Sequence, residues 1–342
     1  MAAQAPSERL QLPPEWLAHR YDPQQDAVHF VRADRETRRS IPFLTDEHLP
    51  SAAEPLVVRR ADSLAVTPTT APIHFILHSA YCCSTLLANA YDREGTASSF
   101  KEPVILNDLG GWRQRGGEPA RVAEVLDSAL RLLARPFEAG EATVVKPSNV
   151  VNAFAPAMLA MRPDAGCILL HAPLRVYLGS IAGKSLWGRL WVRDLLAKLL
   201  RDGMIDLGFE TDEYFLQTDL QVAAVGWLAQ HQHFARLADR YPGRVRTLES
   251  EVLLARPEEA LAAIDALFGL SSDSGARAQI AASVFSRHAK FGGTFNREDR
   301  IAGQRAAADV HGEEIDKVIV WAKAVAANAG VAFDLPSPLL GA

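Results

Sequence analysis

The residues whose types and spacing carry most chemistry lie in one short stretch, His78-Ser79-Ala80-Tyr81-Cys82-Cys83-Ser84-Thr85-Leu86-Leu87. It joins a short apolar run, His74–Leu77, to a helix expected over Thr85–Arg93. A strand, a tight loop and a helix opening on Ser-Thr gather several unpaired backbone N–H groups around one point. The helix dipole makes that point attractive to an anion, and Ser84 and Thr85 add hydroxyl donors. The plainer reading of the same residues is an N-cap by Ser84 or Thr85. The nucleotide-kinase signature, G-x-x-x-x-G-K-S/T, is absent.

Other groups compete for attention. A cysteine at a helix N-terminus has a lowered pKa, so Cys83 could act as a nucleophile with His78 or His171 as its base. Against this, the small-residue pattern G-x-C-x-G of a nucleophile elbow is missing. A metal site at His78, Cys82 and Cys83 is disfavoured, because adjacent cysteines chelate one tetrahedral ion poorly and no second pair exists. Near the C-terminus, Arg287-His288-Ala289-Lys290-Phe291-Gly292-Gly293 combines three cationic side chains with a glycine pair. Arg189 and Arg193 share one helix face at i,i+4, flanked by Trp187 and Trp191, a pattern read here as an interface.

The elements that must position these groups follow from the hydrophobic pattern. Strand-like runs at His74–Leu77, Thr143–Val145, Gly166–Leu170 and Val245–Leu248 alternate with helical periodicity over 119–135, 152–161, 186–201, 213–240 and 257–268. Short, nearly continuous apolar strands separated by helices predict a parallel sheet covered on both faces, a three-layer α/β/α fold of roughly five strands. In such sheets ligands bind beyond the carboxyl ends of the strands. That rule selects the loops 78–84, 100–103, 146–149 and 171–180. Residues 1–70, rich in proline and mixed charge, with strand-like pieces at Ala27–Val31 and Leu56–Arg59, are expected to be an extension packed on a main domain over 71–342.

The chain has 342 residues, 48% hydrophobic and 23% charged, an ordinary globular balance with enough length for a large core. A net charge of -5 excludes a global basic field for nucleic acid, though a few local donors suffice for a nucleotide phosphate. No apolar run reaches the length of a membrane span, and the first residues lack the charge and apolar pattern of a signal peptide. Cys82, Cys83 and Cys167 form no disulfide framework. A cytoplasmic location is the expectation.

The stretch Phe75–Leu87 resembles, without a gap, the 5′-phosphosulfate loop of the sulfotransferase family, whose usual form is close to F-I-V-G-x-P-R-S-G-T-T-L-L. Phe75, Ile76, Ser84, Thr85, Leu86 and Leu87 fit that pattern. Its glycine next to the helix is Cys83 here, its basic residue Tyr81 and its proline Ala80. Further segments are similar to the same family in order and spacing over about 73–300. They are Phe100-Lys101-Glu102-Pro103, Val144-Val145-Lys146-Pro147-Ser148, Arg162-Pro163-Asp164-Ala165 leading into Ile168-Leu169-Leu170, and the stretch from Trp227 to Leu270. The resemblance implies a phosphate-loop α/β fold. It also implies sulfuryl transfer from 3′-phosphoadenosine-5′-phosphosulfate, without a metal, to a hydroxyl or amine on a small-molecule or macromolecular acceptor. Carried over by position, Glu102 is the base that takes the acceptor's proton and Lys146 stabilises charge on the transferring group. Ser79, Tyr81, Cys82, Cys83, Ser84 and Thr85 would hold the 5′-phosphosulfate. The family's 3′-phosphate site is an Arg at a strand end with a Ser eight residues later. Here His171 ends the strand and Gly179 stands eight residues on, which leaves Ser180 and Arg175 as the nearest candidates. Lys290 lies in what resembles the family's late basic loop. The alternative is a non-catalytic relative that keeps the fold and binds a nucleotide or a protein partner.

Overall fold

The computed structural model describes residues 10–49, 54–67, 70–271, 273–285 and 297–341. Five short strands make the central sheet: β4 (Ile73–His78), β5 (Ala97–Lys101), β6 (Ala142–Lys146), β7 (Cys167–His171) and β8 (Val245–Glu249). They follow β1 (Trp16–Asp22), β2 (Ala27–Arg32) and β3 (Leu56–Arg59) in chain order. The central strands lie in the order β5-β6-β4-β7-β8 and all pair in parallel. Every residue of β4, β5, β6 and β7 is buried, which is why β4, β6 and β7 read as apolar runs and not as alternating ones.

Alternation reappears in the packing. Ile76, Val144, Ile168 and Leu170 face one hydrophobic core, with Tyr177, Leu178, Trp227 and Leu228 from helices Leu174–Ala182 and Asp219–Arg240. Phe75, Leu77, Val145, Cys167 and Leu169 face the other, with Leu106, Leu126, Leu130 and Met158 from helices Val104–Gln114, Pro119–Leu133 and Ala155–Met161. Two cores on opposite faces of one parallel sheet make three layers, the architecture the sequence predicts.

Strands β1, β2 and β3 form a separate antiparallel sheet, with a register shift between Ala18 and Arg20. Its Leu17, Val28 and Phe30 enter the second core beside Phe75 and Leu77. At the other end of the chain, helix Arg297–Ala329 packs on helices Leu174–Ala182 and Asp219–Arg240. No helix among the described residues is long and apolar enough to cross a membrane.

The strand order locates the site. From β4 the chain crosses to β5 on one side, and from β7 it continues to β8 on the other, so the connections diverge beyond the carboxyl ends of β4 and β7. A crevice opens where connections diverge in this way. A cavity of about 340 Å³ lined by Pro72, Ile73, Arg131, Arg162 and Asp164 lies at the opposite, amino end of the strands.

Candidate functional site

The loop after β4 is built from backbone conformations that L-residues avoid. Ala80, Tyr81 and Cys83 have φ of 71°, 52° and 63°, all left-handed, and none is glycine. Each costs roughly 1–2 kcal/mol and persists only where its surroundings over-determine it. Those surroundings are visible. Ser79 N–H donates to Leu170 O at 3.1 Å, and Ala80 N–H donates to His78 Nδ1 at 3.1 Å. The Cys82 side chain is fully buried in the core, and burial pushes its thiol up to about 12. The Tyr81 ring stands edge-on to Tyr177 and Trp191 at 5.9 and 5.3 Å, and burial raises its phenol well above the ordinary value. Tyr81 is thus packed towards the helix Ser185–Arg201. Cys83 is the N-cap of helix Ser84–Asn89 without a side-chain capping bond, in a conformation that glycine reaches without strain. Ser84 and Thr85 are buried at the start of that helix.

Beside this loop lies the charged part of the site. Lys101 and Lys146 end adjacent strands in register. The chain then turns sharply at Glu102, whose φ of 53° is left-handed although a residue before proline favours extended backbone. Glu102 N–H donates to Lys146 O at 2.7 Å. That turn aims the carboxylate back across the strand end, where Lys146 Nζ donates to Glu102 Oε1. The Lys146 side chain is 1% exposed and that of Glu102 is 19% exposed, so the carboxylate retains access that its partner lacks. The Phe43 ring covers the ammonium at 5.1 Å. Lys101 Nζ donates to Arg39 O at 3.1 Å. Burial, together with the neighbouring charge of Lys146, brings the Lys101 pKa down to about 8. The sequence reading singles out Glu102 and Lys146 but not Lys101. Its signal is the strand register that sets it against Lys146.

The β7 side is different in kind. His171 is buried, its pKa is lowered to about 4 by that burial, and its Nδ1 has no partner. Its ring meets His231 edge-on at 5.0 Å, and His231 stacks on Trp227 at 3.4 Å. Arg175 pairs with Asp316 of the C-terminal helix, both side chains more than half exposed. Ser180 Oγ donates back to Val176 O at 2.7 Å within its own helix. The structure therefore keeps His171 at the strand end, while Arg175 and Ser180 are engaged away from it. Lys290 and the rest of 286–296 lie outside the described residues. Arg189 and Arg193 are likewise occupied, by Glu314 and Asp219 and by Asp219 and Gln217 O.

One cation that the sequence reading overlooks reaches this end of the sheet. Arg300 forms a two-pronged pair with Glu251, at 3.0 and 2.6 Å, just after the carboxyl end of β8. Burial works to lower its pKa, but the hydrogen bond to Glu251 and the charge of that carboxylate raise it above the ordinary guanidinium value. Only the tertiary packing of the last helix brings it here.

Several buried polar atoms at the carboxyl ends lack partners: Ser79 Oγ, Asn149 Nδ2, His171 Nδ1 and Tyr177 Oη. Buried polar atoms are normally hydrogen-bonded, so this end of the sheet suits a polar ligand or ordered water. Such atoms fit the hydroxyl and phosphate oxygens of a nucleotide. Among the described residues no group of three or more His, Cys, Asp or Glu side chains could hold a metal ion.

No family model and no curated protein matches the chain. Among solved structures it is similar to a sulfotransferase from Mycobacterium avium, at 13% identity over 75% of this chain and 81% of that one, with a TM-score of 0.43. It is also similar to a sulfotransferase from Mycobacterium tuberculosis, at 14% identity over 73% of this chain and 80% of that one, TM-score 0.40. A sulfotransferase domain from the curacin biosynthetic pathway matches at 14% identity over 78% of this chain and 99% of that domain, TM-score 0.42.

Proposed function

We propose that the protein transfers a sulfuryl group from 3′-phosphoadenosine-5′-phosphosulfate to a hydroxyl or amine acceptor at the carboxyl ends of β4, β5 and β6. The observation that carries this reading is the Glu102–Lys146 pair, a partly accessible carboxylate held by a fully buried ammonium next to the left-handed loop. Such a transfer needs an aligned acceptor, a base within hydrogen-bond reach and a cation where negative charge develops. Glu102 accepts the acceptor's proton as the acceptor atom bonds to sulfur. Lys146 meets the charge that grows on the oxygen leaving sulfur. The donor supplies an already activated sulfuryl group, and the loop 79–85 with Ser84 and Thr85 would bind its 5′ end. A small-molecule or macromolecular acceptor and a cytoplasmic setting belong to the same reading.

Two observations favour a second reading. Tyr81 stands at the loop's basic position and packs into the aromatic side of the core, and the strand-end residue His171 is held neutral. A non-catalytic protein with this fold, binding a nucleotide or a protein partner, would have those features. Calorimetric titration with 3′-phosphoadenosine 5′-phosphate, on the native chain and on Lys146→Ala, separates the two readings together with a labelled-donor transfer assay. Tight binding and transfer by the native chain, with transfer lost in the variant, supports the enzyme. A stably folded native chain that neither binds nor transfers removes it.

A further inference from the structure

The sequence resemblance places a glycine where β4 ends, and this chain has His78 there. Its side chain is buried, and both ring nitrogens meet backbone groups. Ala80 N–H points at Nδ1 at 3.1 Å, and Nε2 lies 3.1 Å from Pro147 O. A backbone N–H only donates and a carbonyl only accepts. Together they fix the neutral ring with its proton on Nε2. The two partners belong to different loops: Ala80 is the first left-handed residue after β4, and Pro147 follows Lys146 at the end of β6. The Nε2 edge also lies 3.8 Å from Glu102 Oε1, the oxygen that Lys146 engages. The backbone carbonyl of His78 is held in turn by Asn152 Nδ2 at 3.0 Å.

We propose that His78 is the positioning residue of this site: its imidazole ties the left-handed loop at Ala80 to the end of β6 at Pro147, and so sets the loop against the Glu102–Lys146 pair. Other core histidines of this chain also bond between elements, His74 to Gly166 N–H and His233 to Asn152 O. His78 joins the two loops that flank the charged pair, and glycine at the same position has no atom for either bond. Its effect on catalysis rests on the transfer reading, whereas its effect on the loop does not.

Two part-replacements separate the bonds. His78→Asn sets an amide oxygen near the place of Nδ1 and keeps the acceptor for Ala80. His78→Gln sets an amide nitrogen near the place of Nε2 and keeps the donor to Pro147. His78→Ala removes both. The first measurement is amide hydrogen exchange at Ala80, which needs no activity. Exchange should quicken about tenfold or more in His78→Ala and His78→Gln and stay near the native rate in His78→Asn. The second is turnover. kcat should fall about tenfold to a hundredfold in His78→Ala, with affinity for 3′-phosphoadenosine 5′-phosphate changed less than about threefold. His78→Asn and His78→Gln each keep one of the two bonds, so each should recover only part of the loss, with the shape of the pH–rate profile kept. Native exchange at Ala80 in both His78→Ala and His78→Gln overturns the tie. Equal loss of kcat in Asn, Gln and Ala variants assigns the ring to the reacting atoms and overturns positioning. Should His78→Ala not fold, the contrast between Asn and Gln decides. A native chain inert towards donor and product ends the transfer reading alone, and the exchange arm still judges His78.

Discussion

The two flanks of β4 solve the same problem in opposite ways. On the β5–β6 flank the strand ends carry Lys101, Glu102 and Lys146, and the two ammonium groups are buried because each has a carboxylate or a carbonyl to face. On the β7 flank the strand end carries His171 against His231, which stacks on Trp227, and burial without a counter-charge keeps both imidazoles neutral. The desolvation cost is common to both flanks. What differs is whether a second charge lies within reach to offset it. The β5–β6 flank is therefore equipped for proton transfer and charge stabilisation. The β7 flank offers shape, aromatic faces and a few unpartnered polar atoms.

The largest expected effects come from breaking the charged flank. Lys146→Ala leaves the Glu102 carboxylate without its partner and, on the transfer reading, removes the cation proposed for the leaving oxygen, so transfer should fall about 10²–10³-fold in a labelled-donor assay. Glu102→Gln strands a 1% exposed ammonium, and a urea titration should register a loss of about 3–5 kcal/mol. Native stability in Glu102→Gln would mean that Lys146 does not depend on this carboxylate, and the contrast between the flanks would collapse.

The neutral flank should announce itself through pH. The pKa of His171 in the folded chain, about 4, lies below its ordinary value of 6.5. As pH falls, the unfolded chain therefore takes up the proton first. The contribution of this residue to stability is complete above about 6.5 and is lost as pH drops through the window down to about 4. The loss amounts to on the order of 3 kcal/mol for one group. His74, with its pKa also about 4 through burial, acts over the same window. Denaturation of the native chain and of His171→Asn at several pH values checks this. The slope between pH 6.5 and 4 should flatten by close to one proton in the variant, and an unchanged slope would show that His171 does not titrate in this way.

The contrast between flanks was only partly legible in the sequence. Strands β4, β6, β7 and β8 announce themselves as short apolar runs, and helix Pro257–Phe268 by the proline that opens it and the left-handed Gly269 that closes it. Strand β5, Ala-Ser-Ser-Phe-Lys, carries too little apolar character to read as buried, and β1 is interrupted by His19 and Arg20 at its irregular register. The helix Arg297–Ala329 is polar with glycines at 303 and 312, so periodicity gives no sign of it, and with it goes the Arg300–Glu251 pair. Glu102 and Lys146 stand out by resemblance, because each sits in a recognisable short segment. Lys101 lies in one of those segments without a role of its own, and His78 is read only as a possible base or metal ligand, since their meaning lies in register and in bonds to carbonyls of distant loops. Nor does any local rule place Ala80, Tyr81 and Cys83 in left-handed backbone, because tertiary packing imposes it.

Smaller changes sharpen the comparison at its margins. Tyr81→Arg would restore a cation to the loop at the expense of two edge-on ring contacts, each worth about 0.5–1.5 kcal/mol. Thermal unfolding should register that loss while affinity for 3′-phosphoadenosine 5′-phosphate rises, and a rise in both would mean that the ring contributes no packing. The smallest effect should come from Arg175→Ala. Its side chain and that of Asp316 are 57% and 61% exposed, so solvent screens the pair, and exposed pairs are worth about 0–1 kcal/mol. Removing the charge should shift the unfolding midpoint within that limit and change nucleotide affinity by less than about twofold, because Arg175 is held on the outer helix and not at the strand end. A tenfold loss of affinity would mean that Arg175 leaves Asp316 when nucleotide binds. The β7 flank would then acquire its charge on demand, and its difference from the β5–β6 flank would be one of timing.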